Sequence, residues 1–158
     1  MTAVASLSIT ALGERKILIT RVFDAPRSVV YEAFTTPSLL MQWLGPEGFT
    51  LTRADVDPQV GGRYRFEGGF PGQETMGWGG VVREMTPGAR IVQTEAFDMY
   101  PGEAINTTTW EEHGGRTHLR IELEYDSTAT RDAVLASGMQ KGVEVSYDRL
   151  AKLLAARQ

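Results

Sequence analysis

The sequence contains no cysteine and only two histidines in its 158 residues. The absence of cysteine excludes a disulfide framework, a thiol nucleophile and a zinc site built on thiolates. Two histidines without cysteine or a neighbouring carboxylate cluster form neither a catalytic triad nor a convincing metal site. We therefore expect no bound metal and no cofactor.

The chain also lacks an excess of basic residues and any long apolar run. Its formal net charge is −4 at pH 7, and no run of Lys and Arg provides a local basic patch. No stretch approaches the roughly 20 apolar residues of a membrane-spanning helix. The N-terminal segment has no basic residue before its mildly apolar part, unlike a signal peptide. The sequence predicts a cytoplasmic protein that binds neither nucleic acid nor membrane.

The residues that are present suffice for one hydrophobic core. Hydrophobic residues make up 42% of the chain and charged residues 23%, which is typical of a globular domain. A chain of this length fits one domain. We assign residues 15–156 to that domain and residues 1–14 to an N-terminal extension that is either flexible or an edge strand.

Turn residues divide most of the chain into short strands. β-branched residues over 15–24 predict a first strand, which is followed by two short helices, the first of them capped by Asp24. Six runs of β-type residues over 49–125 are separated by turns with Gly or Pro, which predicts an antiparallel meander. The cluster Gly77-Trp78-Gly79-Gly80 within this region predicts a sharply bent strand or a bulge.

The C-terminal segment from about Ser127 to Ala156 has the pattern of an amphipathic helix. Its apolar residues recur every three or four positions, and one helix of this length would measure about 40 Å. Gly138, Gly142 and Ser146 follow one another at a spacing of four beside the apolar stripe. Close packing or a kink near Gly138 explains this pattern, and so does a track that leaves space for a ligand.

Several short motifs occur in a characteristic order along the chain. They are Asp24-Ala25-Pro26, Trp43-Leu44-Gly45-Pro46, Gly61-Gly62-Arg63-Tyr64-Arg65-Phe66, Thr94-Glu95 and Gly138-Met139. With the predicted order of elements, they resemble the START-like (SRPBCC) superfamily. Within it, the chain is similar to bacterial homologues of the C-terminal domain of the heat-shock-protein-90 ATPase activator.

The resemblance implies a fold and a cavity, but not one reaction. The implied fold is an α+β helix-grip fold: a curved antiparallel sheet of about seven strands, two short helices after the first strand, and a long C-terminal helix across the concave face. Relatives usually have Gly-Trp where this chain has Gly142-Val143. This difference implies either a wider pocket or a neighbouring aromatic side chain that fills the space.

The candidate pocket residues lie on elements that should converge between the sheet and the C-terminal helix. Each alone is an ordinary core residue, but together they suit a mostly apolar cavity with few polar groups. Alternation puts Asn106 and Thr108 on one face with Trp110. Alternation does not decide the face of Glu95: an exposed carboxylate is favoured, whereas burial would raise its pKa and make it an acid–base candidate. The candidates are Trp43, Phe49, Tyr64, Phe66, Trp78, Glu95, Phe97, Asn106, Thr108, Trp110, Met139, Gly142, Val143 and Tyr147.

These features predict a protein that encloses a small apolar or aromatic molecule. We expect Trp43 and Phe49 to form one wall of the cavity entrance. An alternative function is a cyclase-type or hydrolase-type enzyme that uses a buried carboxylate or Tyr. A third is a co-chaperone-like interaction domain that acts on a heat-shock ATPase, and a homodimer is compatible with each of these functions.

Overall fold

The computed structural model describes residues 7–157, which form one curved antiparallel sheet and four helices. The strands are β1 Ser8–Leu12, β2 Lys16–Phe23, β3 Thr50–Val56, β4 Arg63–Gly69, β5 Met76–Thr86, β6 Arg90–Phe97, β7 Ala104–His113 and β8 Arg116–Glu124. The helices are α1 Arg27–Thr35, α2 Pro37–Trp43, α3 Thr128–Ala136 and α4 Met139–Ala156. The strand order is β1-β2-β8-β7-β6-β5-β4-β3. The predicted α+β helix-grip fold is confirmed, with eight strands instead of about seven.

The additional strand comes from the predicted N-terminal extension. β1 pairs antiparallel with β2, so that Ser8 lies opposite Thr20 and Leu12 opposite Lys16. Of the two alternatives for this extension, the structure has an edge strand over residues 8–12. Residues 1–6 lie outside the described residues.

The predicted meander is confirmed from β3 to β8. On β8, Leu119, Ile121 and Leu123 are buried while His118 and Arg120 are exposed, as the alternation of the sequence predicts. β2 pairs with β8, so the first predicted strand joins the meander beside its last strand. The inner face of the sheet packs against the helices and forms the hydrophobic core with them.

The glycine cluster of β5 lies where neighbouring strands approach very closely. A Cβ atom at Gly79 would collide with the carbonyl oxygen of Tyr64, and one at Gly80 would collide with Thr94. The pairing register of β5 with β6 shifts shortly afterwards, between Val82 and Glu84. The predicted irregularity is therefore present as a bulge just beyond the cluster, and the glycines allow the close approach.

The start of α1 differs from the prediction, because Asp24 does not cap it. Pro26 occupies the N-cap position and makes no side-chain hydrogen bond. The backbone N–H of Arg27 donates instead to the Glu112 carboxylate at the end of β7, at 2.7 Å. A residue 85 positions further along the chain thus satisfies the first amide of this helix.

The predicted single C-terminal helix is two helices, α3 and α4. Gly138 lies between them with a φ of 83°, in the left-handed region, which interrupts the helix. The side chain of Ser127 caps α3 by accepting a hydrogen bond from the Thr130 amide at 3.1 Å. α4, with 18 residues, spans about 27 Å and not 40 Å. Within residues 7–157, no helix is long and apolar enough to cross a membrane.

Candidate functional site

A cavity of about 180 Å³ lies between the inner face of the sheet and the helices α1, α2 and α4. This volume corresponds to about six liquid water molecules, and an engineered apolar cavity of roughly 150 Å³ binds benzene. The space therefore suits a molecule with one aromatic ring and a few further atoms. The lining residues are Phe34, Thr35, Leu40, Trp43, Leu44, Val56, Pro58, Tyr64, Phe66, Trp78, Val82, Met85, Ile91, Gln93, Glu95, Asn106, Thr108, Trp110, Ile121 and Tyr147.

Aromatic side chains form two groups around this cavity. In the first group, the Phe34 ring lies 4.9 Å from Trp43, 5.6 Å from Trp110 and 6.2 Å from Tyr147. In the second group, the Phe66 ring lies 5.4 Å from Tyr64 and 5.6 Å from Trp78. Edge and tilted contacts of this kind are favourable arrangements for buried rings. The two groups give the cavity walls of aromatic character.

A row of polar side chains crosses the sheet floor of the cavity. The hydroxyl of Thr108 donates to Asn106 Oδ1 at 2.6 Å, and Asn106 Nδ2 donates to Glu95 Oε1 at 3.4 Å. Gln93 lies opposite Asn106 in the pairing of β6 with β7 and also lines the cavity. As alternation predicts, Asn106 and Thr108 share the inner face with Trp110.

Glu95 lies on the inner face of the sheet, so the exposed position favoured from the sequence is incorrect. Protein atoms enclose its carboxyl group, and the half-buried side chain keeps its remaining accessible surface because it lines the cavity. Loss of solvation raises the pKa of Glu95, and the hydrogen bond from Asn106 opposes this effect only in part. Glu74 and Asp98, the other carboxylates considered for chemistry, are exposed.

Two of the lining aromatic residues, Trp110 and Tyr64, also carry a hydrogen-bond donor. Trp110 is 3% exposed, and within the described residues its indole Nε1–H has no hydrogen-bond partner. Because this atom has almost no accessible surface, Trp110 contributes the faces of its ring to the cavity and not its N–H donor. The Tyr64 hydroxyl, in contrast, donates to the Thr94 carbonyl oxygen at 2.6 Å.

The structure brings most of the predicted pocket residues together around the cavity, but not all of them. Trp43, Tyr64, Phe66, Trp78, Glu95, Asn106, Thr108, Trp110 and Tyr147 line it, whereas Phe49, Phe97, Met139, Gly142 and Val143 do not. Phe97 lies opposite Trp78 in the pairing of β5 with β6, stacks on its ring at a centroid distance of 5.6 Å and is 36% exposed. Met139 and Val143 are half-buried residues of α4 that pack against the core.

Phe49 belongs to the core and not to the predicted entrance wall. It is 6% exposed and packs against Phe70 and Trp78, with centroid distances of 5.5 Å and 6.1 Å. Trp43 does line the cavity, but it is 1% exposed and its Nε1–H donates to the Ala33 carbonyl oxygen at 3.0 Å. The two aromatics that flank the Gly45-Pro46 break therefore have separate roles.

Of the track of small residues, Gly142 and Ser146 pack against the Gly45-Pro46 loop, whereas Gly138 precedes α4 at the break between the two helices. The Ser146 hydroxyl accepts from the Gly45 amide at 2.9 Å and donates to the Gly45 carbonyl oxygen at 2.8 Å. A Cβ atom at Gly142 would lie 3.2 Å from Pro46 Cβ. Close packing is thus the reason for this spacing, with the loop and not the sheet as the partner.

Sequence reasoning omitted several lining residues. Gln93 and Ile91 alternate with Glu95 on β6 and line the cavity with it. The alternation that made Glu95 a candidate pocket residue could therefore have identified them as well. Pro58, which is exposed, and the half-buried Thr35 and Met85 are lining residues that also reach the surface, and they mark the rim of the cavity. They come from three separate segments and no local pattern links them.

The structure offers little support for other kinds of site. No group of three or more His, Cys, Asp or Glu side chains within residues 7–157 is arranged to hold a metal ion. His113 and His118 are exposed, with His113 Nε2 3.0 Å from the Glu111 carboxylate. A shallow cleft on the outer face contains Arg53 and Arg65, but both are paired with carboxylates.

Comparison with known proteins finds a matching family and solved structures with the same fold. The sequence profile of the family described as "Activator of Hsp90 ATPase homolog 1-like protein" matches residues 24–155. A crystal structure of a protein from Rhodobacter sphaeroides is 30% identical, with a TM-score of 0.91, and the match covers 96% of this chain and 99% of the other.

Two further solved structures extend this comparison. A crystal structure of a Chromobacterium violaceum protein is 34% identical over 88% of this chain and 96% of the other, with a TM-score of 0.75. A solution structure named as an AHSA1-like protein from Aeromonas hydrophila shares the fold at 17% identity, with a TM-score of 0.73, over 87% of this chain and 93% of the other. Among proteins with curated descriptions, none matches the sequence.

Proposed function

Because the chain belongs to the Activator of Hsp90 ATPase homolog 1-like family within the START-like superfamily, we propose that it uses the interior of its helix-grip fold to bind a small aromatic molecule. The observation that carries this proposal is the cavity of about 180 Å³ with aromatic walls and a polar row on its floor. Such a combination of an apolar enclosure with a few placed polar groups is typical of small-molecule sites.

The arrangement of the walls supports an aromatic ligand over a long aliphatic one. Rings of Trp43, Trp110 and Tyr147 on one side and of Phe66 and Trp78 on the other bound a space whose size matches about one ring. A bound ring can make edge and offset contacts with these walls, each worth about 0.5–1.5 kcal/mol beyond the burial of its surface. The Asn106 amide, which lines the cavity, can orient a polar substituent.

The test uses native mass spectrometry and intrinsic fluorescence. Freshly purified protein is expected to carry a co-purifying small molecule, and the protein freed of it should bind single-ring aromatics such as indole. All three tryptophans of the chain line the cavity, so binding should change their emission in a saturable manner. Absence of a bound molecule together with absence of saturable binding would contradict the proposal.

A matched pair of variants locates the binding. Val82→Phe adds a ring at a lining position, whereas Val81→Phe adds the same ring at the neighbouring position, which does not line the cavity. We expect Val82→Phe to abolish the fluorescence response and Val81→Phe to retain it. Equal binding by both variants would place the ligand elsewhere.

A second function is favoured by one observation, the position of Glu95 inside the cavity. An enclosed carboxyl group whose pKa is raised above its ordinary value is a candidate general acid or base. A cyclase-type or hydrolase-type reaction on a bound aromatic molecule is therefore the second candidate. Mass analysis of the identified ligand after incubation distinguishes the two: unchanged ligand indicates binding alone, whereas conversion that Glu95→Gln abolishes indicates catalysis.

The remaining expectations stay predictions. A co-chaperone role predicts that the protein changes the ATPase rate of a matched heat-shock chaperone. A homodimer predicts twice the monomer mass in sedimentation analysis, and a cytoplasmic location is tested by fractionating the source cells.

A further inference from the structure

Glu95 is the only Asp, Glu, Lys, Arg or His side chain that lines the cavity among the described residues. Within residues 7–157, its carboxylate accepts a side-chain hydrogen bond from the neutral amide of Asn106, at 3.4 Å, and from no basic group. We propose that the preferred ligand is an organic cation, an arylalkyl ammonium or quaternary ammonium compound whose positive charge lies against Glu95 and whose ring lies between the aromatic walls. This inference rests on the proposed function, because it specifies the ligand of the same cavity.

Most other carboxylates of the sheet are paired with basic side chains, and Glu112 accepts from the Arg27 backbone amide at the surface, so the enclosed Glu95 is unusual. Glu122 is 3.1 Å from Lys16 Nζ, and Glu124 is 3.2 Å from Arg15 Nη2. Even the buried Arg21, which lies in the same core, pairs with Asp148 on α4 at 2.9 Å and not with Glu95. Within residues 7–157, no basic side chain lies within ion-pair distance of Glu95.

An enclosed carboxylate without a cation is costly, and a cationic ligand would remove that cost. A buried charge requires an opposite charge and good hydrogen bonds, or else it takes up a proton. The Asn106 amide offers one long hydrogen bond, which leaves the second carboxylate oxygen available to a ligand. An ammonium group placed there would form a charge-assisted hydrogen bond, which is shorter and stronger than a neutral one.

The aromatic walls suit the same ligand charge. Cations are attracted to the faces of Trp and Tyr rings, most strongly where water is excluded. Trp43, Trp78, Trp110, Tyr64 and Tyr147 all line the cavity together with Glu95. A purely apolar ligand would use these rings but would leave the carboxyl group without a partner, and an anion would be repelled by it.

Among the described residues that line the cavity, Glu95 and the tyrosines Tyr64 and Tyr147 are the groups that can titrate, and burial raises the pKa of Glu95. The tyrosines that face it are Tyr64 on β4, Tyr125 after β8 and Tyr147 on α4. Burial, and second the charge of Glu95, raise the pKa of each of these tyrosines. The raised pKa values keep these tyrosines neutral, so the affinity for a permanent cation should rise with pH as Glu95 ionises.

The test compares 2-phenylethylammonium with 2-phenylethanol, which differ mainly in charge. Wild-type protein at pH 8 is expected to bind the ammonium compound more tightly. Glu95→Gln should reduce the ratio of the two affinities by about tenfold or more, since a hydrogen bond to a charged group typically contributes that much. Glu95→Asp, which keeps the charge, should retain a preference for the ammonium compound, and Glu74→Gln at an exposed site should keep the wild-type ratio.

The outcomes separate this inference from the proposed function. If 2-phenylethanol binds at least as tightly as the ammonium compound, or if Glu95→Gln leaves the ratio unchanged, the cation preference is overturned while the aromatic site stands. If neither compound nor indole binds to wild-type protein, both proposals fail. A pH series with benzyltrimethylammonium, which does not titrate, should show affinity that rises with pH in wild-type protein and stays flat in Glu95→Gln.

Discussion

Replacing Glu95 with Gln removes a charge from the cavity but keeps the size and shape of the side chain. Because the enclosed carboxyl group has lost solvation, its pKa in the folded protein is raised above the ordinary value of 4.5. The folded protein thus keeps a proton at pH values where the unfolded chain has released it. The stability that this group contributes is fully present below about pH 4.5 and is lost as the pH rises through the folded pKa.

The expected magnitude follows from the same linkage. Each unit between the folded and unfolded pKa corresponds to about 1.4 kcal/mol of unfolding free energy. Gln does not titrate, so the stability of Glu95→Gln relative to wild type should be constant at acid pH. Above the unfolded pKa it should increase by about 1.4 kcal/mol per pH unit and level off at the folded pKa. The total increase in stability and the pH at which the increase ends both give the pKa of Glu95 in the folded protein, so the two values must agree.

Urea unfolding from pH 4 to pH 9 measures this difference, with tryptophan emission and circular dichroism as probes. Glu74→Gln is the matched control, because the exposed Glu74 lies in the β4–β5 loop, and its difference from wild type should show no such rise. A flat difference for Glu95→Gln would refute the reasoning, since it would mean that the carboxyl group is solvated as it would be on the outer face.

Three further predictions concern the elements around the cavity. Ser146→Ala leaves the Gly45 amide without its acceptor and should cost about 1–3 kcal/mol in urea unfolding; a loss below about 0.5 kcal/mol would mean that the loop is held by other contacts. Gly138→Ala places a Cβ atom at a φ of 83° and should lower stability by about 1–2 kcal/mol, whereas an unchanged midpoint would argue against the break between α3 and α4. Trp43→Ala should lower the free energy of unfolding by about 3–5 kcal/mol and abolish indole binding. Intact binding in a destabilised variant would mean that Trp43 only packs in the core.

Local patterns were sufficient to predict most of the sheet. Turn residues separate the strands from β3 to β8, and the alternation on β8 identifies its buried face at Leu119 and Ile121. Features set by distant contacts were not predictable in this way. Glu112 caps α1 from the far end of β7, and the break at Gly138 replaces a helix that the apolar spacing alone would continue. A single glycine disfavours a helix by only about 1 kcal/mol, which does not decide where it ends.

The candidate site was predictable where one face of a strand is clearly apolar. On β7, Trp110 identifies the inner face and thereby places Asn106 and Thr108. On β6 the same reasoning fails, because Ile91 and Val92 are adjacent and both buried. Alternation then leaves the orientation of Glu95 undetermined, and only the pairing with β7 resolves it. Phe49 was misassigned because its proximity to Trp43 in sequence does not fix where the loop after α2 directs its ring.

The central claim is that the interior of this fold is a binding site for a small aromatic molecule, and an NMR titration with indole tests it most directly. We expect saturable shifts at the inner-face residues Glu95, Asn106 and Thr108 and at the indole N–H of Trp110, because the ring of Trp110 lines the cavity. Amides of the outer-face residues Arg53 and Asp55, in the shallow cleft, should not move. Shifts confined to that outer cleft, or no saturable shift at any position, would contradict the account.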